Sequence, residues 1–312
     1  MFAQRFAQRA VALALLLVSM ISVQAGASIA KRLFPILGAG GVSALRLTLA
    51  AVILCVINRP WRFPLTRTMR RTLVLYGIVL GAMNFLFYLA LARVPLGVAV
   101  ALEFTGPLAV ALLASRQPRD ILWALLAAVG IAAIIAPGLS AGMQAAQGGV
   151  PMGQMDPMGI VYALGAGVCW GLYIVVGQRA GVGIPGGVAT TAGMIVASGV
   201  VILACLAQRT PVVLPATMVG EVAGVGCIVA ILSSALPYSL EMVALQRLPT
   251  KTFGICMSLE PALGAIMGML VLGEHLISTQ WIGMTCVMLA SIGSLMMAPP
   301  TVTVPPKVDI AS

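Results

Sequence analysis

Charge is what this chain has least of. Asp, Glu, Lys and Arg together make up 8% of its 312 residues, against roughly a quarter in a soluble domain. Only 8 residues are acidic, one is histidine (His275), and aromatics account for 5%. With 61% apolar residues and a mean hydropathy of +1.08, the chain has too little polar surface for water and reads as an all-α membrane protein. One span takes about 20 apolar residues, which leaves room for roughly ten spans and no large soluble domain.

Other absences remove classes of function. There is no G-x-S-x-G elbow and no H-E-x-x-H zinc site, and the one histidine falls in a loop, so an enzyme is not expected. The six cysteines (Cys55, Cys169, Cys205, Cys227, Cys256, Cys286) lie inside apolar runs with no C-x-x-C pair, as packing residues do; no metal or other cofactor is expected. The net charge of +10 belongs to short loops, where it orients helices in a lipid bilayer rather than binding nucleic acid.

Ten apolar runs are expected to span: 10–30, 40–57, 72–92, 95–115, 120–137, 157–178, 187–207, 218–245, 251–272 and 280–298. Arg5, Arg9 and the following "AVALALLLV" imitate a secretory signal, but the apolar stretch continues to Ala30 and is long enough to be a retained first span. Pro237 is expected to kink the long eighth run. With the N-terminus in the cytoplasm, thirteen Lys and Arg fall inside and four (Lys31, Arg32, Arg93, Arg209) outside, which puts both termini in the cytoplasm.

The linker 138–156 carries no Lys or Arg and divides the chain into 10–137 and 157–298, five spans each, with a tail at 299–312. The halves share a stretch: "ALARVP" (Ala90 to Pro95) matches "ALQRLP" (Ala244 to Pro249) at an offset of 154, which also lays Pro107 on Pro261. Glu103 then has its counterpart in Glu260, displaced by three residues. Because five is odd, the second copy enters the membrane the other way, so the expected architecture is ten transmembrane helices as two inverted five-helix repeats, a plan of secondary transporters.

Polar side chains inside the runs are the candidate site. Counting 1.5 Å per residue from Pro95 places Glu103 about 12 Å into the layer, and Glu260 lies roughly 16 Å from Pro249. An ion at that depth costs at least ~2.5 kcal/mol, which makes both candidates for proton coupling, with permanent pairing to an arginine as the plain alternative. Glu241 is expected near the interface or paired with Arg247. Arg46 reads as a clamp for a substrate carboxylate, a counter-ion to Glu103, or a side chain snorkelling to the surface. Asn84 with Tyr88, and Trp170 with Tyr173, share helix faces and could offer hydrogen bonds and a cation-π surface to an ammonium group. Gly165, Gly167 and Gly171 read as close helix contacts.

The stretches "QAGASIAKRLFP", "GVSALRL", "PLGVAVALEFTGPLAVAL", "LGAGVCWGLYIVVGQRAG", "AILSSALPYSLEMVALQRLPT" and "MSLEPALGA" resemble the drug/metabolite transporter superfamily, specifically its ten-helix EamA-type exporters. The linker and the tail depart from that pattern. The resemblance implies two EamA-like repeats in a bacterial inner membrane and proton-driven efflux of small amino acids of the threonine and homoserine kind. Export of another metabolite or a cationic drug by the same fold, or a passive channel, are the alternatives. Family resemblance supplies no list of site residues here; those rest on burial.

Overall fold

The computed structural model describes residues 2–115, 120–145, 156–180, 183–208, 219–237, 240–241, 244, 248 and 250–297. Among them there are helices and turns but no strand. The helices are α1 Phe2–Arg32, α2 Phe34–Asn58, α3 Arg67–Leu91, α4 Leu96–Glu103, α5 Thr105–Ser115, α6 Asp120–Ala145, α7 Pro157–Ala180, α8 Gly186–Ala207, α9 Val219–Ala230, α10 Thr250–Met257, α11 Glu260–Met267 and α12 Ser278–Met297. Among the described residues nine helical stretches are long and apolar enough to cross a bilayer, with Val219–Ala235 a shorter apolar one. The remainder of the expected eighth span lies largely outside the described residues.

Helix boundaries follow local chemistry, and several of them differ from the expected runs. Helix α2 begins at Phe34 rather than 40, because Pro35 fits a first turn and the glycines that look like punctuation are absorbed by a kink at Gly38 (φ 68°). Helix α3 begins at Arg67 rather than 72, since the Thr66 side chain accepts from the Met69 N–H at 3.3 Å and caps an arginine-rich first turn. Helix α6 runs past Pro137 to Ala145, eight residues into the expected linker. The fourth and ninth spans are each broken in two, at Phe104 and at Ser258–Leu259.

Proline accounts for the breaks. Pro107 has no N–H for the Glu103 carbonyl, and the Thr105 hydroxyl bonds the Leu102 carbonyl at 2.6 Å, so the ladder stops at Glu103. Pro261 likewise offers no donor four residues back; there Ser258 turns its hydroxyl to the Gly254 carbonyl and to Ser291 on α12. Past α9 the chain widens into a π-turn, Ile231–Ala235, just before Pro237.

Every residue of α4 is buried, so this apolar half-helix forms the centre of the molecule. It packs against α11 where Gly97 meets Ala265, and α5 packs against α7 where Gly106 meets the Gly167 carbonyl. Large apolar side chains such as Leu113 (78% exposed) and Leu270 (76% exposed) cover the perimeter, as a lipid-facing surface requires. Adding a Cβ at Gly106 drives it into the Gly167 backbone, whereas at Gly199 it meets nothing. Gly106→Ala is therefore expected to cost about 3 kcal/mol, the upper range for overpacking. The corresponding loss of thermal stability in detergent should be absent in Gly199→Ala.

Candidate functional site

Helix α2 turns Arg46 inward. The side chain is 7% exposed and does not snorkel. One terminal guanidinium nitrogen donates to Oδ1 of Asn84 on α3, and the other donates to the Ser233 carbonyl at 3.4 Å. That carbonyl is available because Pro237, four residues on, has no N–H to bond it. Asn84 is aimed by its own Nδ2, which donates to the Leu80 carbonyl at 2.8 Å. The guanidinium carbon stands 4.8 Å from the centroid of the Tyr88 ring, so Tyr88 already gives its face to a cation of the protein. Three of the expected residues, Arg46, Asn84 and Tyr88, thus form one cluster.

That cluster has spare hydrogen-bonding capacity. Arg46 Nε, the Tyr88 hydroxyl and the Ser43 and Ser234 hydroxyls are buried without a hydrogen-bond partner among the described residues. Leaving such atoms unmatched costs ~1–3 kcal/mol each, which a polar ligand can remove.

The two carboxylates sit at the two helix breaks: Glu103 is the last residue of α4 and Glu260 the first of α11. Both are buried, at 7% and 6% exposure. Glu103 lies within electrostatic reach of Glu260 and of Arg46, and Glu260 within reach of Glu241. The ion pairs among the described residues are elsewhere, at Lys31–Glu274 and Arg93–Asp156, both 2.6 Å, so Arg46 is not closed onto either glutamate. One guanidinium can balance one carboxylate; the other needs a proton or an incoming cation.

The other expected pair divides. Trp170 stands edge-on to Phe104, at the break beside Glu103, with ring centroids 5.6 Å apart. Tyr173 instead stacks on Tyr76 of α3 with hydroxyls 3.0 Å apart. Neither ring joins Asn84 and Tyr88, so the single cation-π surface expected of the four residues is not formed. Glu241 accepts from the Ser19 hydroxyl at 2.8 Å, while Arg247 lies outside the described residues.

Sequence reasoning passed over two further groups. Gln24, Ser43 and Ser234 are neutral polar residues inside apolar runs, and that polarity was the available signal. The second is a clasp at one end of the bundle. Glu274 Oε1 pairs with Lys31 Nζ, Glu274 Oε2 accepts the first N–H of α4, from Leu96, at 2.7 Å, and Lys31 also donates to the Val94 carbonyl at 3.1 Å. Arg93 and Asp156 pair at the same end, where the Met158 N–H and the Arg93 guanidinium hold the Asp156 carboxyl below its usual range. An apolar cleft of about 530 Å³ between α5, α6 and α7 is lined by residues such as Leu112, Ala128 and Val168, and its chemistry suits lipid rather than a polar solute.

Apolar helices that break at paired carboxylates, opposite a buried arginine with unused donors, define a multi-pass membrane protein with a polar centre. The model of the EamA-like transporter family matches residues 157–296. The chain is 47% identical over 290 residues to the threonine/homoserine exporter RhtA of Escherichia coli (strain K12), covering 90% of each chain. It is 46% identical over 279 residues to the threonine/homoserine exporter RhtA of Salmonella typhimurium (strain LT2), covering 89% of each. A solved crystal structure, 16% identical, shares the fold at a TM-score of 0.57 over 94% of this chain and 98% of that one. The chain belongs to the EamA-like transporter family and is a multi-pass membrane transporter.

Arg46→Met removes both guanidinium bonds and leaves Asn84 Oδ1 buried without its donor. We expect a loss of ~1–3 kcal/mol in thermal unfolding. Asn84→Leu combined with Arg46→Met should recover part of that loss, because the Asn84 acceptor is then removed and only the Ser233 carbonyl has lost its donor.

Proposed function

We propose that this protein exports small amino acids of the threonine and homoserine kind from the bacterial cytoplasm, in exchange for protons, by alternating access. The observation that carries this reading is the coincidence of both buried carboxylates with the breaks in the fourth and ninth spans, within electrostatic reach of Arg46. A zwitterion is the ligand such a centre suits: Arg46 faces its carboxylate and Glu103 its ammonium, with Glu260 as the second coupling group. The chemistry is an exchange of cations at Glu103. When the ammonium leaves, a proton takes its place, so the buried charge stays balanced throughout. One proton moving inward through 100 mV releases ~2.3 kcal/mol, enough to sustain a gradient of a neutral zwitterion of about fiftyfold.

The paired breaks also support the inverted-repeat reading, in which 10–137 and 157–298 are five-span units of opposite orientation with both termini in the cytoplasm. Under that topology the clasp of Lys31, Glu274 and Leu96 N–H lies on the outer side. It joins α1, the start of α4 and the end of the ninth span. The half-helix α4 carries the clasp at one end and Glu103 at the other, a length of only about 12 Å, so release of Glu274 frees the element that holds the coupling carboxylate. The outer gate and the site then move as one body.

Two measurements test this reading. In liposomes loaded with unlabelled threonine, wild-type protein should show saturable counterflow that responds to an imposed pH gradient. Glu103→Gln should abolish the pH-driven flux while the protein stays folded. Unchanged driven flux in Glu103→Gln removes that residue from coupling, and absence of counterflow from folded wild type indicates a channel or another cargo. For the gate, a variant lacking the six native cysteines and carrying Leu96→Cys, at a position 1% exposed, should react slowly with an impermeant maleimide from outside. Adding Glu274→Ala should raise that rate severalfold; an unchanged rate contradicts the gate.

A further inference from the structure

We infer that Gln24 on α1 reads the side-chain hydroxyl of the transported amino acid, through its amide oxygen at the seam of α1, α4 and α11. The inference rests on the reading of the centre as an amino-acid carrier and adds the residue that selects among amino acids.

The hydroxyl-bearing side chains of this stretch of α1 are satisfied within the protein. Ser19 donates to Glu241 at 2.8 Å, Ser22 to the Leu232 carbonyl at 2.7 Å and Ser28 to the Gln24 carbonyl at 2.8 Å. Gln24 differs. It is 3% exposed, and its Oε1 has no donor among the described residues. An unmatched buried acceptor costs free energy until a donor arrives.

Its position says which donor that is. Oε1 lies 3.3 Å from the point a Cβ on Gly264 would occupy, and Val100 lines the same spot at 3.2 Å. Gly264 is four residues beyond Glu260 and Val100 three before Glu103, so the amide oxygen stands about one helical turn, roughly 5–6 Å, from the level of the carboxylates. A side chain at Gly264 would crowd this oxygen. Val100 beside it is buried and apolar, and the residue after Gly264, Ala265, is where α4 closes on α11 through Gly97. Arg46 and Glu103 take the two charged ends of a zwitterion, which leaves the side chain to meet Gln24. An amide oxygen accepts a hydroxyl proton and offers nothing to a methyl group. Threonine and homoserine, the amino acids in the relatives' names, share a side-chain hydroxyl.

The test compares isosteres in which a methyl replaces the hydroxyl: threonine with valine, and homoserine with norvaline. Each is supplied as competitor in threonine-loaded liposomes, and valine counterflow is followed directly. Wild type is expected to prefer the hydroxyl member of each pair on the order of ten- to a hundredfold. Gln24→Leu should bring both ratios to within about twofold while valine is still carried, which also shows that the variant is folded. Gln24→Met, closer in length, should behave in the same way. A wild type without preference, a Gln24→Leu variant that retains it, or equal loss of all four amino acids in both variants overturns the inference. The carrier reading fails separately, if wild-type protein moves none of the four.

Discussion

A proline inside a hydrocarbon layer withdraws a backbone donor where no water can replace it, and the centre of this protein is organised around that constraint. Pro107, Pro237 and Pro261 each fall within or beside an apolar span. The carbonyl that Pro237 leaves unbonded, that of Ser233, is taken by Arg46, which fixes the guanidinium between α2, α3 and the π-turn after α9. At Pro107 and Pro261 the ladder stops next to a glutamate, so each carboxylate stands at a helix end rather than along a helix flank. The polar residues are held by the faults in the helices.

Glycine supplies the complementary constraint. The half-helices α4 and α11 approach closely because Gly97 presents no side chain to Ala265, and α5 approaches α7 because Gly106 and Gly167 meet backbone to backbone. One half of each broken span, α4 and α11, is thereby paired with the other, while the remaining halves, α5 and α10, pack on α7 and α12. The breaks that separate the two halves of each span coincide with Glu103 and Glu260. A packed seam of this kind has a small number of discrete arrangements.

Residues differ in how far their role was legible along the chain. Glu103, Glu260 and Arg46 stood out because a charge in an apolar run is costly wherever it lies. Asn84 and Tyr88, four apart on one helix, could be grouped by helical spacing, and the fold sets both against Arg46. Trp170 and Tyr173 were grouped by the same spacing but meet different neighbours, Phe104 and Tyr76, because α7 packs at once on α3 and on the two halves of the broken fourth span. Glycine misled at Gly38, where a kink is absorbed inside one helix, and the arginines at 67–71 hid the start of α3, whose cap is a single threonine.

The sequence by itself determined that this is a membrane protein of apolar helices and which of its charges lie deep, since both follow from the cost of moving groups from water to hydrocarbon, residue by residue. Only the tertiary structure decided what those charges meet. Arg46 bonds a carbonyl 187 positions away, and Lys31 pairs with Glu274 across 243. Gln24 stands beside Gly264 for the same reason, that helices distant along the chain are brought together in space. Hydropathy and spacing record how a residue relates to the layer and to its own helix. They carry nothing about which other helix packs beside it, and that packing decides which neighbours the scattered buried polar groups meet.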